Sequence, residues 1–371
     1  MADITSSPTT LSHVNVPPAQ TWNYLKVNEV ALDVPTFASS GKVFARLPQL
    51  FQHVECGVGQ DTVDWFQTAP ADARYVEVPR GQELAEPIVI SADAGDVLDT
   101  GVLVREGASA TVIVITRDAA STDAGEKDEK NFSAALTRIV VERDAHVTLI
   151  EVVAAGDARE HLEGVGILAA EHADVEVRQY ALGGATTAFG IACDLAGDAS
   201  RLTLDMRYRA AESELLDVNH LCRQRGRATK STITTSGILG GSAQKTMRET
   251  IDLIHGAKGS SGTESETVLV TGDDIVNKTL PTILCDEEDV AGNHGATIGS
   301  VSPEQLGYLA DRGLSEEEAT RLFERALFDD ALIHAQTDGA REAILARAAQ
   351  VLGDEMANDV AQTLGLGGDV A

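Results

Sequence analysis

The chain has 371 residues, 43% hydrophobic and 4% aromatic, with a formal charge of −29 at pH 7. That length points to one large core with smaller appendages, packed by Val, Ile, Leu and Ala rather than by rings. So acidic a chain argues against nucleic acid and against an anionic membrane surface, since both select clustered Lys and Arg; solubility accounts for most of the acid.

Residues 1 to about 20 are polar and Pro-containing and are expected to be loose. Pro35, Pro48, Pro70 and Pro79 limit helix length in the segment that follows. Seven aromatics gather early, from Trp22 and Tyr24 through Phe37, Phe44 and Phe51 to Trp65 and Phe66. Residues 1–87 therefore read as a small mixed cap packed on a larger body. Ser39-Ser40-Gly41-Lys42-Val43 is similar to the tail of a phosphate-binding loop, but Thr36 stands where the first glycine belongs and Val43 where Ser or Thr belongs. No nucleotide is expected to bind this chain.

From Ile88 the pattern changes to short β-rich runs, among them Ala110–Ile115, Val147–Val152, Val175–Val177 and Leu202–Leu204. Four of them follow a small signature: Gly107-Ala108-Ser109, Asp144-Ala145-His146, His172-Ala173-Asp174 and Asp198-Ala199-Ser200. Its alanines lie 37, 28 and 26 residues apart, and the longest gap holds the charged run Asp118–Asn131, which reads as a surface loop. An irregular repeat with a small residue at each corner and a strand after it predicts a solenoid of β-coils over 88–300. A two-sheet sandwich is the competing reading. No helical run interrupts the strands, which disfavours βαβ units.

The four cysteines, Cys56, Cys193, Cys222 and Cys285, are scattered with no C-x-x-C spacing, so no structural zinc site is signalled. His220 and Cys222 share one strand face, most simply as a core thiol beside a surface histidine. No leader pattern opens the chain and no run of 18 apolar residues occurs, so the expected location is the cytoplasm, with reduced thiols.

The stretch Pro281–Gly299 joins Cys285, the acidic run Asp286–Asp289 and His294 between Asn293 and Gly295. Thiol and imidazole suit iron, zinc or sulfur chemistry better than oxygen ligands do; the plainer alternative is a buried cysteine, a solvated acidic turn and a turn histidine. After Gly299 the pattern turns helical. Ser302-Pro303-Glu304-Gln305 and Ser315-Glu316-Glu317-Glu318 are capping boxes, and a further helix is expected near Asp338. Residues 301–371 form this C-terminal helical part, whose face Ala319, Leu322, Phe323, Ala326, Leu327 packs within the chain or on a partner.

ILCDEEDVAGNHGATIG, followed by Gln305–Leu309 and Arg312-Gly313-Leu314, resembles the C-terminal signature of the SufB/SufD iron–sulfur cluster assembly proteins, and is closer to SufD. Thr250–Gly259, Ser265–Leu269 and Trp22–Asn28 are also similar to family segments. The resemblance implies a right-handed parallel β-helix between an N-terminal cap and C-terminal helices. It implies a non-catalytic scaffold that pairs through its β-helix with a SufB-type subunit or a second copy of itself. It implies that the C-terminal helices hold a SufC-type ABC ATPase, and that a transient cluster forms at the subunit interface beside His294. Three departures stand out: Gly292 where SufD sequences often have cysteine, Ser265 near a SufB ligand cysteine, and Gly295 at a SufB glutamate. Cys285 is a candidate substitute thiol. A polysaccharide-acting β-helix enzyme and a purely structural subunit are the rival readings.

Overall fold

The computed structural model describes residues 8–19, 26–37, 41–117, 131–272 and 274–363. Trp22, Tyr24, Ser39, Ser40 and the charged segment 118–130 lie outside the described residues.

A short antiparallel pair, β1 (Thr9–Val14) and β2 (Val30–Val34), a single turn at Gln49–Phe51 and α1 (Gln60–Phe66) make the N-terminal cap. Sixteen strands then alternate between two parallel sheets. One sheet holds β3 (Arg74–Val78), β5 (Val97–Val104), β7 (Phe132–Val141), β9 (Glu160–Ala169), β11 (Thr186–Leu195), β13 (Leu215–Gln224), β15 (Gln244–Leu253) and β17 (Val276–Cys285). The other holds β4 (Ile88–Ala92), β6 (Ser109–Arg117), β8 (His146–Ala154), β10 (Asp174–Ala181), β12 (Arg201–Ala210), β14 (Lys230–Leu239), β16 (Ser261–Val270) and β18 (Ala291–Gly299). Successive strands go to opposite sheets, so each pair is one coil of a parallel β-solenoid. The first strand of the stack, Arg74–Val78, lies before the boundary at 88 suggested by the sequence.

The corners explain the repeat. Gly107, Asp144, His172, Ala199, Ala228 and Gly259 all have positive φ, between 53° and 75°. Each donates its backbone N–H to a carbonyl in the next coil, from Gly107 to Arg143 at 3.0 Å through to Gly259 to Asp289 at 2.7 Å. The next residue turns inward and is buried: Ala108, Ala145, Ala173, Ser200, Thr229 and Ser260. The fourth sequence signature was thus one residue out of register, since Ser200 and not Ala199 is the buried corner. Two further copies were missed because Thr229 and Ser260 replace alanine, their hydroxyls joined at 2.8 Å.

The strands stack without register shift, for example His146, Asp174 and Arg201. Alternate side chains therefore form columns, either into the lumen or outward. The lumen is mostly Val, Ile, Leu and Ala. The N-terminal cap covers the outer face of one sheet, where Val14, Val58 and Phe66 pack on Leu136, Leu162 and Ala188. Among the described residues four helices follow the last coil: α2 (Pro303–Ala310), α3 (Glu316–His334), α4 (Asp338–Leu352) and α5 (Asp354–Thr363). Both serine capping boxes form, at Ser302 and Ser315. Phe328, Leu332 and Ile344 pack on Ile113, Ile150 and Tyr180 of the other sheet's outer face. Arg347 anchors them: it donates to Leu182 O at 3.0 Å, Glu214 at 2.9 Å and Asp157 at 2.8 Å. A Cβ on Gly183 would sit 2.3 Å from its guanidinium, so this close approach requires glycine.

Candidate interface site at the open end of the solenoid

Among the described residues β17 pairs only with β15 and β18 only with β16, and no further coil follows them. All of β18 is exposed, and β17 is half-buried to exposed along its length. Ile298, which would be a core residue in a middle coil because it pairs with Val268, is 53% exposed. Such an edge presents unpaired backbone groups and an uncovered apolar rung, a ready template for a second chain.

Register fixes which way the side chains face. Ile298 pairs with Val268, a lumen residue, and two steps at a time this places Ala296 over Glu266 and His294 over Glu264. His294 is therefore on the lumen side of the last rung. Cys285 pairs with the buried Leu253 and is on the lumen side too, in the opposite sheet. The two are not neighbours. A Cβ on Gly292 would meet Ile283 at 3.0 Å, so Gly292 and Ile283 face each other across the lumen. Cys285 lies on the corner side of that step and His294 on the far side. The Cys285 thiol is exposed and donates to Glu287 O at 3.2 Å. Ser265 and Gly295, which are paired in register, fall on the outward side and not beside His294.

The acidic run is a corner, not a ligand cluster. Glu287 accepts the Gly256 N–H at 2.9 Å, and this backbone donor chiefly holds its carboxyl below the usual range. Among the described residues no group of three or more His, Cys, Asp and Glu side chains is placed to hold a metal ion.

Sequence reasoning missed a line of polar side chains inside the lumen. His161 is bonded to Thr116 at 3.2 Å, Ser133 at 3.0 Å and Glu163 at 2.8 Å, and burial pushes its pKa down to about 3. Burial also raises the carboxyls of Glu163 and Glu151 well above their ordinary range, with the Glu163 charge adding to the effect on Glu151. Gln179 donates to Glu151 at 2.9 Å and bonds His220 at 2.8 Å. His220, expected at the surface, is buried, and its Nδ1 lies 3.6 Å from Glu249. Glu264 ends the line, 1% exposed, with neither carboxyl oxygen hydrogen-bonded among the described residues. Burial and then the Glu249 carboxylate push its pKa up to about 9, against a smaller pull from the Thr282 amide, which falls short of hydrogen-bond geometry. By contrast Glu266 is fully engaged, by Lys245, by Tyr208 at 2.9 Å and by Thr279 at 2.6 Å. Period two alone conceals these acids, because a buried Glu in a strand looks like an outward one.

A second exposed feature lies on the helices. Tyr308, Leu322 and Phe323 are 57%, 41% and 42% exposed, while Ala319 and Leu327 of the same α3 face are buried. Tyr308 and Phe323 line one groove with Val301 and Leu309, and Arg312 lies 3.4 Å over the Tyr308 ring.

The fold defines the class: a parallel β-solenoid with a cap and helices packed on its sheets and its last rung bare. Residues 88–327 match the sequence model of the SUF system FeS cluster assembly SufBD core domain. That is well over half of the chain, which belongs to this family. It is 24% identical over 287 residues to the iron–sulfur cluster assembly protein SufD of Escherichia coli K12, covering 75% of this chain and 66% of that protein. It is 34% identical over 97 residues to SufD of Bacillus subtilis 168, covering 26% and 22%. A SufBD family iron–sulfur cluster assembly protein of Staphylococcus saprophyticus is 25% identical over 255 residues, covering 67% and 53%. The matched part is less than two thirds of each relative's own length. No described helix is long and apolar enough to cross a membrane.

Proposed function

We propose that this chain is a SufD-like, non-catalytic scaffold of iron–sulfur cluster assembly that pairs through the bare end of its solenoid. The observation that supports this reading is the last coil, an uncovered edge strand that lies within the part of the chain matching the family model. The partner is a SufB-type subunit or a second copy of this chain. The cluster is transient cargo at the joint. His294 is a ligand there or orients one, and Cys285 is a second donor on the same rim; both lie on the lumen side of the rung that a next coil would cover. No nucleotide binds this chain itself. A SufC-type ATPase docks on the Tyr308, Leu322 and Phe323 patch.

Against a polysaccharide-acting enzyme, the stacked acids of this solenoid are closed inside the lumen, where Glu151, Glu163, Glu249 and Glu264 are at most 2% exposed and a polymer cannot reach them. The test is co-purification of the full chain with a SufB-type subunit and the ATPase. Ile298→Asp should abolish pairing, and Phe323→Asp should release the ATPase, each leaving the other contact intact. Truncation is the wrong test, because removing the helices would uncover Ile113, Ile150 and Tyr180. If Ile298→Asp pairs as well as the parent chain, the open end is not the joint.

A further inference from the structure

Glu264 has no evident structural reason to be where it is. A buried carboxyl is costly unless paired or hydrogen-bonded. The lumen cation Lys245 is committed to Glu266 and Thr279, and both Glu264 oxygens lack a hydrogen bond of good geometry among the described residues. Among those residues only the Thr282 amide approaches it, short of hydrogen-bond geometry, so the carboxyl keeps acceptor capacity for a further donor.

The register says where that partner stands. Glu264 and His294 are directly paired on adjacent strands, and both face the lumen. Same-face neighbours at this position lie about 4.8 Å apart along the stack. On the opposite sheet, Gly262 faces Ile251 and Gly292 faces Ile283. The next rung positions therefore set Glu249 across from Glu264, and Pro281 across from His294. Proline offers the imidazole no side-chain acceptor. In the free chain His294 is exposed. Covering the last rung would take its ring out of solvent beside Glu264, the lumen acceptor paired with it in register.

We propose that Glu264 is a positioning residue for His294: when the open end is covered, a carboxyl oxygen of Glu264 accepts a hydrogen bond from one imidazole N–H, fixing the tautomer and turning the other nitrogen toward the joint. Glu249, itself flanked by His220 at 3.6 Å, backs Glu264 from across the lumen. Metal-binding histidines are commonly oriented this way, and losing such a partner weakens metal affinity by about 10–100-fold. The inference rests on the proposed pairing through the last coil and on His294 facing the joint.

The experiment is nitrogen NMR of histidine-labelled full chain, alone and assembled with its pairing subunit, with His294 assigned by His294→Gln. The expected result is a tautomer mixture in the free chain that collapses to one tautomer on assembly. Glu264→Leu should keep the mixture on assembly, and Glu264→Gln, which retains an acceptor oxygen, should restore the single tautomer. Cobalt(II) titrated into the assembly should bind Glu264→Leu at least tenfold more weakly. A parent-chain His294 that keeps its mixture after assembly overturns the proposal without needing any Glu264 variant to fold. So does a Glu264→Leu assembly whose His294 signal matches the parent's, even if its melting temperature shifts. Failure to assemble at all defeats the proposed function and this inference together, whereas an insensitive tautomer within an intact assembly defeats only the inference.

Discussion

The middle coils and the last coil are built from the same strand, corner and register, yet only the middle is finished. Around β9 and β11 the lumen is closed above and below, the cap covers one outer face, and helices cover the neighbouring strands of the other sheet. At β17 and β18 the same architecture stops with its backbone edge and its Ile298 rung in water. A solenoid is stable because each coil buries its neighbour's face, and the uncovered final coil is the surface on which the proposed pairing rests.

The comparison breaks first on core substitutions. Phe189, fully buried in the lumen, should cost about 3–5 kcal/mol on replacement by Ala. Ile298→Ala should change the stability of the free chain by less than about 0.5 kcal/mol while weakening assembly. Equal losses in denaturant unfolding would mean that the end is not open. Next is the helical anchor. Arg347→Met should destabilise by about 3 kcal/mol, the low end for a buried pair broken from one side, because Arg209 still faces Glu214 at 3.3 Å. The same change should leave assembly through β18 unaltered, which co-purification would check.

A pH series sharpens the contrast inside the lumen. His161 has a folded pKa of about 3 against an ordinary 6.5, so the unfolded chain takes up its proton first. The stability linked to this residue is complete above about pH 6.5 and is lost as pH falls toward 3. His161→Gln should therefore show a shallower fall in urea midpoint between pH 7 and pH 4 than the parent chain. Parallel curves would contradict the buried, neutral assignment. The smallest effect belongs to the helix caps. Ser315→Ala removes the acceptor for the Glu318 N–H and should cost about 1 kcal/mol, visible as a modest shift in melting temperature.

These features differ in how openly the sequence displays them. Alanine corners at 108, 145 and 173 stood out because glycine or a polar residue must take the left-handed position before each. The pattern faded at Ser200, Thr229 and Ser260, where a small hydroxyl fits the same pocket and satisfies itself with its neighbours. The capping boxes were legible since their hydrogen bonds are local. His294 was legible through its family segment, but its lumen orientation depends on pairing with β16, which no local pattern reveals. Glu151, Glu163, Glu249 and Glu264 were invisible for the same reason: only the register of distant strands turns them inward. Leu322 and Phe323 split from Ala319 and Leu327 on one helical face, because the sheet beneath α3 covers only part of it.

The most direct test of the open end is amide hydrogen exchange on the full chain, alone and assembled with its pairing subunit. The structure predicts fast exchange in the free chain at the alternate amides of 291–299 that face away from β16, marked slowing there and in 276–285 on assembly, and little change in α4. Exchange at those amides that is already slow in the free chain, or unchanged by assembly, would contradict the account.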